Sequence, residues 1–475
     1  MSSSLLRGWA RPPSRAGLAG YSSVTHPNTA ANPVVRERPG AERELIMSNE
    51  KARRRTLPGA ATRCGSAIRL ILAALLVLAM ACAKPPRWTS PDRPSPADAA
   101  VLLEGEESRT VREPFPAEVP TVPIRKKLRP CCAFGTDLRV RVGAVPIPGF
   151  RIGNIMELDE VGPHIYDSGA LTRSSQVGTS GFRHRENNGL LYTCRGGFID
   201  TAHVRDYIDW TLYLGTELAR NLNTGVTIEF PDEGGQRRIV AQPVDQDIID
   251  RYGPTRVTLR LAQWIGFQLS VWHEIATWFG WSWSKTFPET ASAFSPEDLY
   301  SNILGVKILG ALGHRRSGRT EHLYNSSVDT WLELVLEYLG PVPKSVGVEA
   351  MRSVDEHWWD SSRRLPDKEL TLRRHLDIDD KIAPWLVPAA LAPESLREIC
   401  GDDPKPVAIA SPDSVLGVKL SNWVNLWIDV DDNLAAQVPF SEIGRRVSQA
   451  DFPRIIEAIR EQNREEFGSA ADQPN

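Results

Sequence analysis

The chain lacks the motifs that most directly announce a chemistry. No Gly-x-Ser-x-Gly elbow, P-loop or dinucleotide fingerprint stands where the flanking pattern would support one, which argues against nucleotide-dependent chemistry. Cysteine is scarce, six in 475 residues, and no Cys-x-x-Cys spacing occurs; this argues against a cysteine zinc site. An excess of charge of one sign is missing too. Lys+Arg number 56 and Asp+Glu 59, for a net charge of −3, without the basic surplus of a dedicated nucleic-acid binder. Long apolar runs are also lacking: the stretch at residues 70–81 falls short of the ~20 residues of a membrane-spanning helix.

That short run belongs to an address label. Lys51, Arg53, Arg54, Arg55, Arg63 and Arg69 precede it, and small residues and Cys82 follow. A basic region, an apolar region and a small-residue cleavage site make a secretory signal over residues 47–82. Ala79-Met80-Ala81-Cys82 is similar to a bacterial lipoprotein box, in which Cys82 is lipidated and becomes the mature N-terminus. Leucine is usual where Ala79 stands, and plain cleavage after an Ala-x-Ala site is the alternative. Arg53-Arg54-Arg55 hints at twin-arginine export without the rest of that motif. Residues 1–46 carry little pattern and precede Met47, the expected true start, so they read as a non-native or disordered extension. The expected location is the cell envelope, on the outer membrane facing the periplasm, because Ala83 is not the aspartate associated with inner-membrane retention. The expected partner is the membrane, through Cys82.

Residues 83–128 are proline-rich and read as a disordered, extended spacer. The folded part is expected as a mainly helical core over 129–340, carrying the candidate site, and a more polar part over 341–475 packed on it. The fold class is mainly α with a minor β portion. Expected helices are 200–221, with Asp200 or Thr201 as cap; 255–280, apolar on every face and hence buried; one opening at Ser295-Pro-Glu-Asp298; 328–339; and 453–467. Leu138–Val142 and Val418–Val430 read as strands. In an oxidising compartment Cys131, Cys132, Cys194 and Cys400 can form disulfides in three ways; Cys131 or Cys132 with Cys194 is preferred.

The chemistry-bearing residues lie between Gly196 and Asn302, where ionisable side chains interrupt apolar helices. Such groups are costly to bury unless paired or bound to a metal. His273-Glu274 opens a His-Glu-x-x-His pattern, but Thr277 stands where the second histidine belongs, so a metal at His273 needs ligands from elsewhere. His203 and Asp206, three apart on one helix face, are the natural donors, with Glu297 or Asp298 as a further carboxylate and Glu274 as general base. Imidazole plus carboxylate suits Zn, Fe or Mn. Against this stands a purely structural role: His273 bonded within the core, Glu274 paired to Arg205 or Arg256, and Glu297 and Asp298 as first-turn partners of the helix dipole. Glu186 is a second candidate base, or else the solvated flank of an Asn188-Gly189 turn. Asp429-Val-Asp431-Asp432-Asn433 reads as a polar turn rather than a calcium loop. The 14 tryptophans, many between Trp264 and Trp283, fill a core or line a groove. Two function classes follow: an envelope lipoprotein with a metal-dependent, hydrolase-like site, or a non-enzymatic envelope protein binding lipid, glycan or a protein partner through aromatics.

Arg129-Pro-Cys-Cys-Ala-Phe-Gly135, Gly189 to Asp206 (Gly-Leu-Leu-Tyr-Thr-Cys-Arg-Gly-Gly-Phe-Ile-Asp-Thr-Ala-His-Val-Arg-Asp) and His273-Glu-Ile-Ala-Thr-Trp-Phe-Gly-Trp281 resemble the bacterial family called domain of unknown function 4056, over roughly residues 125–465. The resemblance implies an envelope-associated bacterial protein and brings no activity, substrate or fold.

Overall fold

The helix that is apolar on every face forms the centre of the protein. The computed structural model describes residues 94–105, 128–129, 132–166, 173–174, 186–282, 288–312 and 321–468. The signal segment and Cys82 lie outside the described residues. The helices that matter below are α1 (Pro96–Glu104), α2 (Thr201–Arg220), α3 (Pro254–Trp278), α4 (Asp298–Leu312), α5 (Glu321–Leu339) and α6 (Phe452–Phe467). The strands that matter below are β1 (Leu138–Val142), β2 (Val145–Ile152), β3 (Leu190–Thr193), β4 (Gly197–Asp200), β5 (Val226–Phe230), β6 (Gly235–Ala241), β7 (Arg364–Leu365), β8 (Val424–Val430) and β9 (Arg446–Ser448). The architecture is mixed α/β with helices predominating.

α3 begins with Pro254 in its first turn, where a missing N–H leaves no bond unmade, and is buried along nearly its whole length. It packs against α2, α4 and α6. α2 and α4 cross so closely that a Cβ on Gly305 would lie 2.2 Å from the Val204 carbonyl oxygen. Only glycine permits that spacing, which brings the first turn of α2 beside the start of α4.

A four-stranded antiparallel sheet, in the order β9-β8-β6-β5, packs against α3. β8 pairs with β6 from Val424 opposite Ala241 to Val430 opposite Gly235, and its alternate residues Val424, Leu426, Ile428 and Val430 are buried. Residues near the C-terminus thus complete a sheet begun by residues 226–241. The hairpin β3–β4 runs directly into α2. Gly197 there has φ +63°, and a Cβ would meet the Trp385 carbonyl oxygen at 2.1 Å.

Two expectations are corrected. Residues 96–104, read as part of an extended spacer, form α1, whose Ala99, Leu102 and Leu103 are buried against α4 and α5. Its start is Ser95-Pro-Ala-Asp98, with Ser95 N donating to Asp98 Oδ2 at 2.7 Å, and Glu104 pairs with Arg195 at 2.9 Å. The disulfide joins Cys194 to Cys400, not to Cys131 or Cys132, because the β3–β4 turn lies beside the short helix Glu394–Cys400. Among the described residues no helix is long and apolar enough to cross a membrane.

Candidate metal centre

The site is assembled where the start of α2, the end of α3 and the start of α4 meet. Asp200 ends β4 and caps α2 by accepting from Ala202 N at 2.7 Å, which sets His203 in the first turn. His273 and Glu274 lie in the last turns of α3. At the start of α4, Asp298 accepts from Ser295 N at 2.7 Å and from the Ser295 hydroxyl at 3.0 Å.

These elements bring His203, His273 and Glu274 together. The imidazole centroids are 6.1 Å apart, and one ligand atom from each of the three residues lies within 4.8 Å of the other two. An ion held at ~2.1 Å bond lengths spans its ligand atoms by no more than about 4.2 Å, so closure needs only small side-chain adjustments. All three side chains are buried; His203 is 4% and His273 8% exposed, which leaves the two rings a narrow edge toward solvent.

Each ring is backed by carboxylate. His273 Nδ1 lies 2.5 Å from Glu233 Oε1, and Glu233 is in turn paired with Arg237. His203 Nδ1 lies 3.1 Å from Asp298 Oδ1 and 3.4 Å from Asp200 Oδ2. The Glu233 bond to His273 Nδ1 fixes that ring's tautomer and orients its Nε2 as the ligand atom; His203 Nδ1 and Asp298 Oδ1 stand close without forming a hydrogen bond. Glu274 Oε2 accepts from Phe294 N at 2.9 Å, and Oε1 accepts from Asn302 Nδ2 at 3.4 Å. The buried Asn302 Oδ1 and Thr277 Oγ1 have no hydrogen-bond partner among the described residues.

The electrostatics are strongly perturbed. Burial, reinforced by Asp298, raises Glu274 to about 7. Burial, then Asp298 and Asp200, pushes Glu297 well above the usual carboxyl range, and burial also raises Asp200 against the pull of His203. Burial depresses His273, but Glu233 more than reverses this and lifts it to about 9. Against the cost of burial, Arg237 and His273 hold Glu233 below the usual range. Perturbed groups that converge on one point mark a functional-site candidate.

Two sequence candidates lie elsewhere. Asp206 faces Arg129, accepting from its backbone N at 2.9 Å and its Nη1 at 2.7 Å. Three residues along the helix were enough to turn it from the histidines to a guanidinium. Glu186 is fully buried, neither in a cleft nor on a solvated turn, and takes two bonds from Arg129 at 2.6 and 2.9 Å. Although burial opposes ionisation, Arg129 and Arg205 hold Glu186 far below the usual range, so it is a permanently charged ion-pair member and a poor general base. Asp209 and His164 complete that second cluster, 2.9 Å apart. The Arg205 expected to pair with Glu274 serves here instead, on Asn188 Oδ1 at 2.7 Å.

Sequence reasoning missed Glu233 and Arg237. They flank the Gly234-Gly235 turn, 40 residues from His273, and nothing local marks them. Asp200, read as a helix cap, has a second role beside His203.

Fold and site together define a mixed α/β protein with a buried two-histidine, one-carboxylate cluster. The chain belongs to the family described as Protein of unknown function (DUF4056), whose model matches residues 119–388; the match ends earlier than the extent read from the sequence. No curated protein and no solved structure matches the chain.

Proposed function

We propose that the protein is a metal-dependent hydrolase of the bacterial cell envelope, anchored as a lipoprotein through Cys82 to the outer membrane and facing the periplasm. One observation carries the catalytic reading: ligand atoms of His203, His273 and Glu274 converge to within 4.8 Å of one another, and a carboxylate stands beside each imidazole. Two histidines and one carboxylate are the donor set of catalytic zinc sites with an open fourth position, and of iron sites with open positions. The address rests on the signal-like residues 47–82, the lipobox-like Ala79-Met80-Ala81-Cys82 and Ala83.

The roles follow from the geometry. His273 presents Nε2, His203 a ring nitrogen and Glu274 a carboxylate oxygen as ligands of Zn, Fe or Mn. Such an ion supplies Lewis acidity and lowers the pKa of water toward neutrality. Glu233, held by Arg237, keeps His273 in one tautomer; Asp298 and Asp200 set negative charge beside His203. Glu274 belongs with the ligands in this reading rather than acting as the base, since its oxygens face Phe294 N and Asn302 and lie with the two rings. Glu297, driven to hold a proton, is the buried acid of the cluster. The binding-protein alternative draws little from most of the described tryptophans: Trp210, Trp264, Trp272, Trp278, Trp331, Trp358, Trp359, Trp385 and Trp423 are all buried; Trp281 and Trp427 are partly exposed, and Trp281 packs its ring 5.7 Å from His273.

The test is metal content of protein purified without a histidine tag. Stoichiometric Zn, Fe or Mn is expected, and it is lost in His203→Ala and His273→Ala variants that still unfold cooperatively. Hydrolysis of ester, amide or phosphoester probes, removed by a chelator and restored by the ion, checks the reaction class. Metal-free wild type from medium containing all three ions would overturn the proposal.

A further inference from the structure

The three-stranded sheet β2-β1-β7 carries a row of like charges. Arg139 stands opposite Arg151 on β2 and opposite Arg364 on β7, so three arginines share one register position. Arg141 follows two residues on, its Nη1 on the Gly143 carbonyl at 3.1 Å. Like charges directly across a strand pair are destabilising. No ion pair is found for Arg139, Arg141, Arg151 or Arg364 among the described residues. The nearby acids are spent on other arginines: Asp137 pairs with Arg352, and Asp360 and Glu369 with Arg363. Arg139 Nη2 donates to the Ser361 carbonyl, so Arg139 and Arg141 meet carbonyl oxygens and the row's positive charge has no carboxylate against it among the described residues.

The same hairpin exposes apolar residues at its tip, Val142 and Val145, and back along β2, Ile147 and Phe150. Val145 is 68%, Val142 47%, Phe150 45% and Ile147 39% exposed. Leu138 and Val140 at the base of β1 are buried and tie the hairpin to the core, so the tip projects beyond it. Apolar residues in such a cluster on a surface mark an interaction site. A nucleic acid or a free phosphate would use the arginines and leave the tip in water. A bilayer uses both: apolar side chains enter the headgroup–acyl boundary while basic ones meet lipid phosphates.

We propose that the β1–β2 hairpin is a membrane-docking element, with Val142, Val145, Ile147 and Phe150 inserting among lipids and Arg139, Arg141, Arg151 and Arg364 binding anionic headgroups. This stands independently of the metal-centre reading. It also differs from the Cys82 anchor, since it fixes which face of the folded domain meets the bilayer.

The experiment is hydrogen exchange of the full chain, alone and with phosphatidylethanolamine–phosphatidylglycerol or phosphatidylcholine vesicles. Amides of residues 143–150 should exchange at least about tenfold more slowly on the anionic vesicles, and less so on phosphatidylcholine. Ile147→Ser with Phe150→Ser should abolish the protection on both. Arg141→Gln with Arg151→Gln should remove the preference for anionic lipid. The readout is local, so it does not depend on whether Cys82 is lipidated. Unchanged exchange at 143–150 on vesicle-bound protein would overturn the proposal. So would protection that needs no vesicles and rises with protein concentration, which would assign the face to a second copy of the chain.

Discussion

Replacing Glu233 by glutamine separates two opposed effects of that carboxylate on His273. Its charge lifts His273 to about 9 despite burial, so in the metal-free protein at pH 7 the ring holds a proton that a metal must displace. Two pH units at ~1.36 kcal/mol each make that competition about 2.7 kcal/mol, or ~100-fold in apparent affinity. The competition fades as pH approaches 9. Its hydrogen bond, at 2.5 Å and braced by Arg237, also orients the ring, and losing such a partner typically costs ~10–100-fold in metal affinity. Glutamine keeps the shape but not the charge, and burial alone then keeps the ring neutral at pH 7. The Glu233→Gln variant should therefore bind zinc ~10–100-fold more weakly than wild type at pH 9, yet come close to it at pH 7. Competition against a chromophoric chelator at pH 7, 8 and 9 measures the ratio. A ratio independent of pH would refute the reasoning, because the proton on His273 would then have no part in binding.

Glu274, raised from 4.5 to about 7, binds its proton more tightly in the folded state. Its favourable contribution is therefore present below pH 4.5 and lost as pH rises through 7, about 3 kcal/mol in all; thermal unfolding of the metal-free protein should show this as a slope that is flattened in Glu274→Gln. Arg129→Met leaves Glu186, Asp206 and Asp209 buried without their guanidinium and should cost about 3–5 kcal/mol in denaturant unfolding, with zinc affinity of the folded fraction kept. Gly305→Ala forces α2 and α4 apart at the Val204 carbonyl; about 1–3 kcal/mol of destabilisation is expected, together with weaker metal binding, because the two helices carry His203 and Asp298.

The helices were legible because their signals are local. Asp200 at a cap, Pro254 in a first turn and Ser295-Pro-Glu-Asp298 each satisfy or remove an orphan backbone group within a few residues. The same Ser-Pro-x-Asp start recurs at Ser95, but among prolines it was read as spacer. What buries α1 is a distant surface on α4 and α5, and no local pattern reports that. His203, His273 and Glu274 stood out as polar side chains on apolar helices. Glu233 did not, since a glutamate beside two glycines reads as an ordinary turn until β6 folds against α3. Asp206 was misread for a related reason. Helix periodicity fixes which side chains share a face, whereas the choice of partner went to Arg129, 77 residues away. Pairing of Cys194 with Cys400 likewise depends on chain paths 206 residues apart.

The two buried polar clusters that involve α2 differ in how their charge is balanced, and this bears on function. Around Glu186, Asp206 and Asp209 the chain supplies its own cation, with Arg129 donating to all three. Glu186 is correspondingly held ionised, as expected of a fixed ion-pair network. Around Asp200, Glu233, Glu274, Glu297 and Asp298, all buried, Arg237 and the His273 ring both pair with Glu233, which leaves four carboxyls without a paired arginine among the described residues. Arg374 lends its field to Asp298, Glu274 and Glu297, but its N–H groups go to the carbonyls of Ala291, Ala293 and Lys368. Asp200, Glu274 and Glu297 answer the imbalance by holding protons more tightly. A carboxyl driven to keep its proton in the interior is one that a divalent cation can discharge, with release of that proton. On this argument the first cluster holds the fold together. The second, with His273 already oriented by Glu233 and His203 close to Asp298 and Asp200, is where a bound ion would restore the balance, and zinc binding near neutral pH should accordingly release protons, measurable as a buffer-dependent heat in calorimetry.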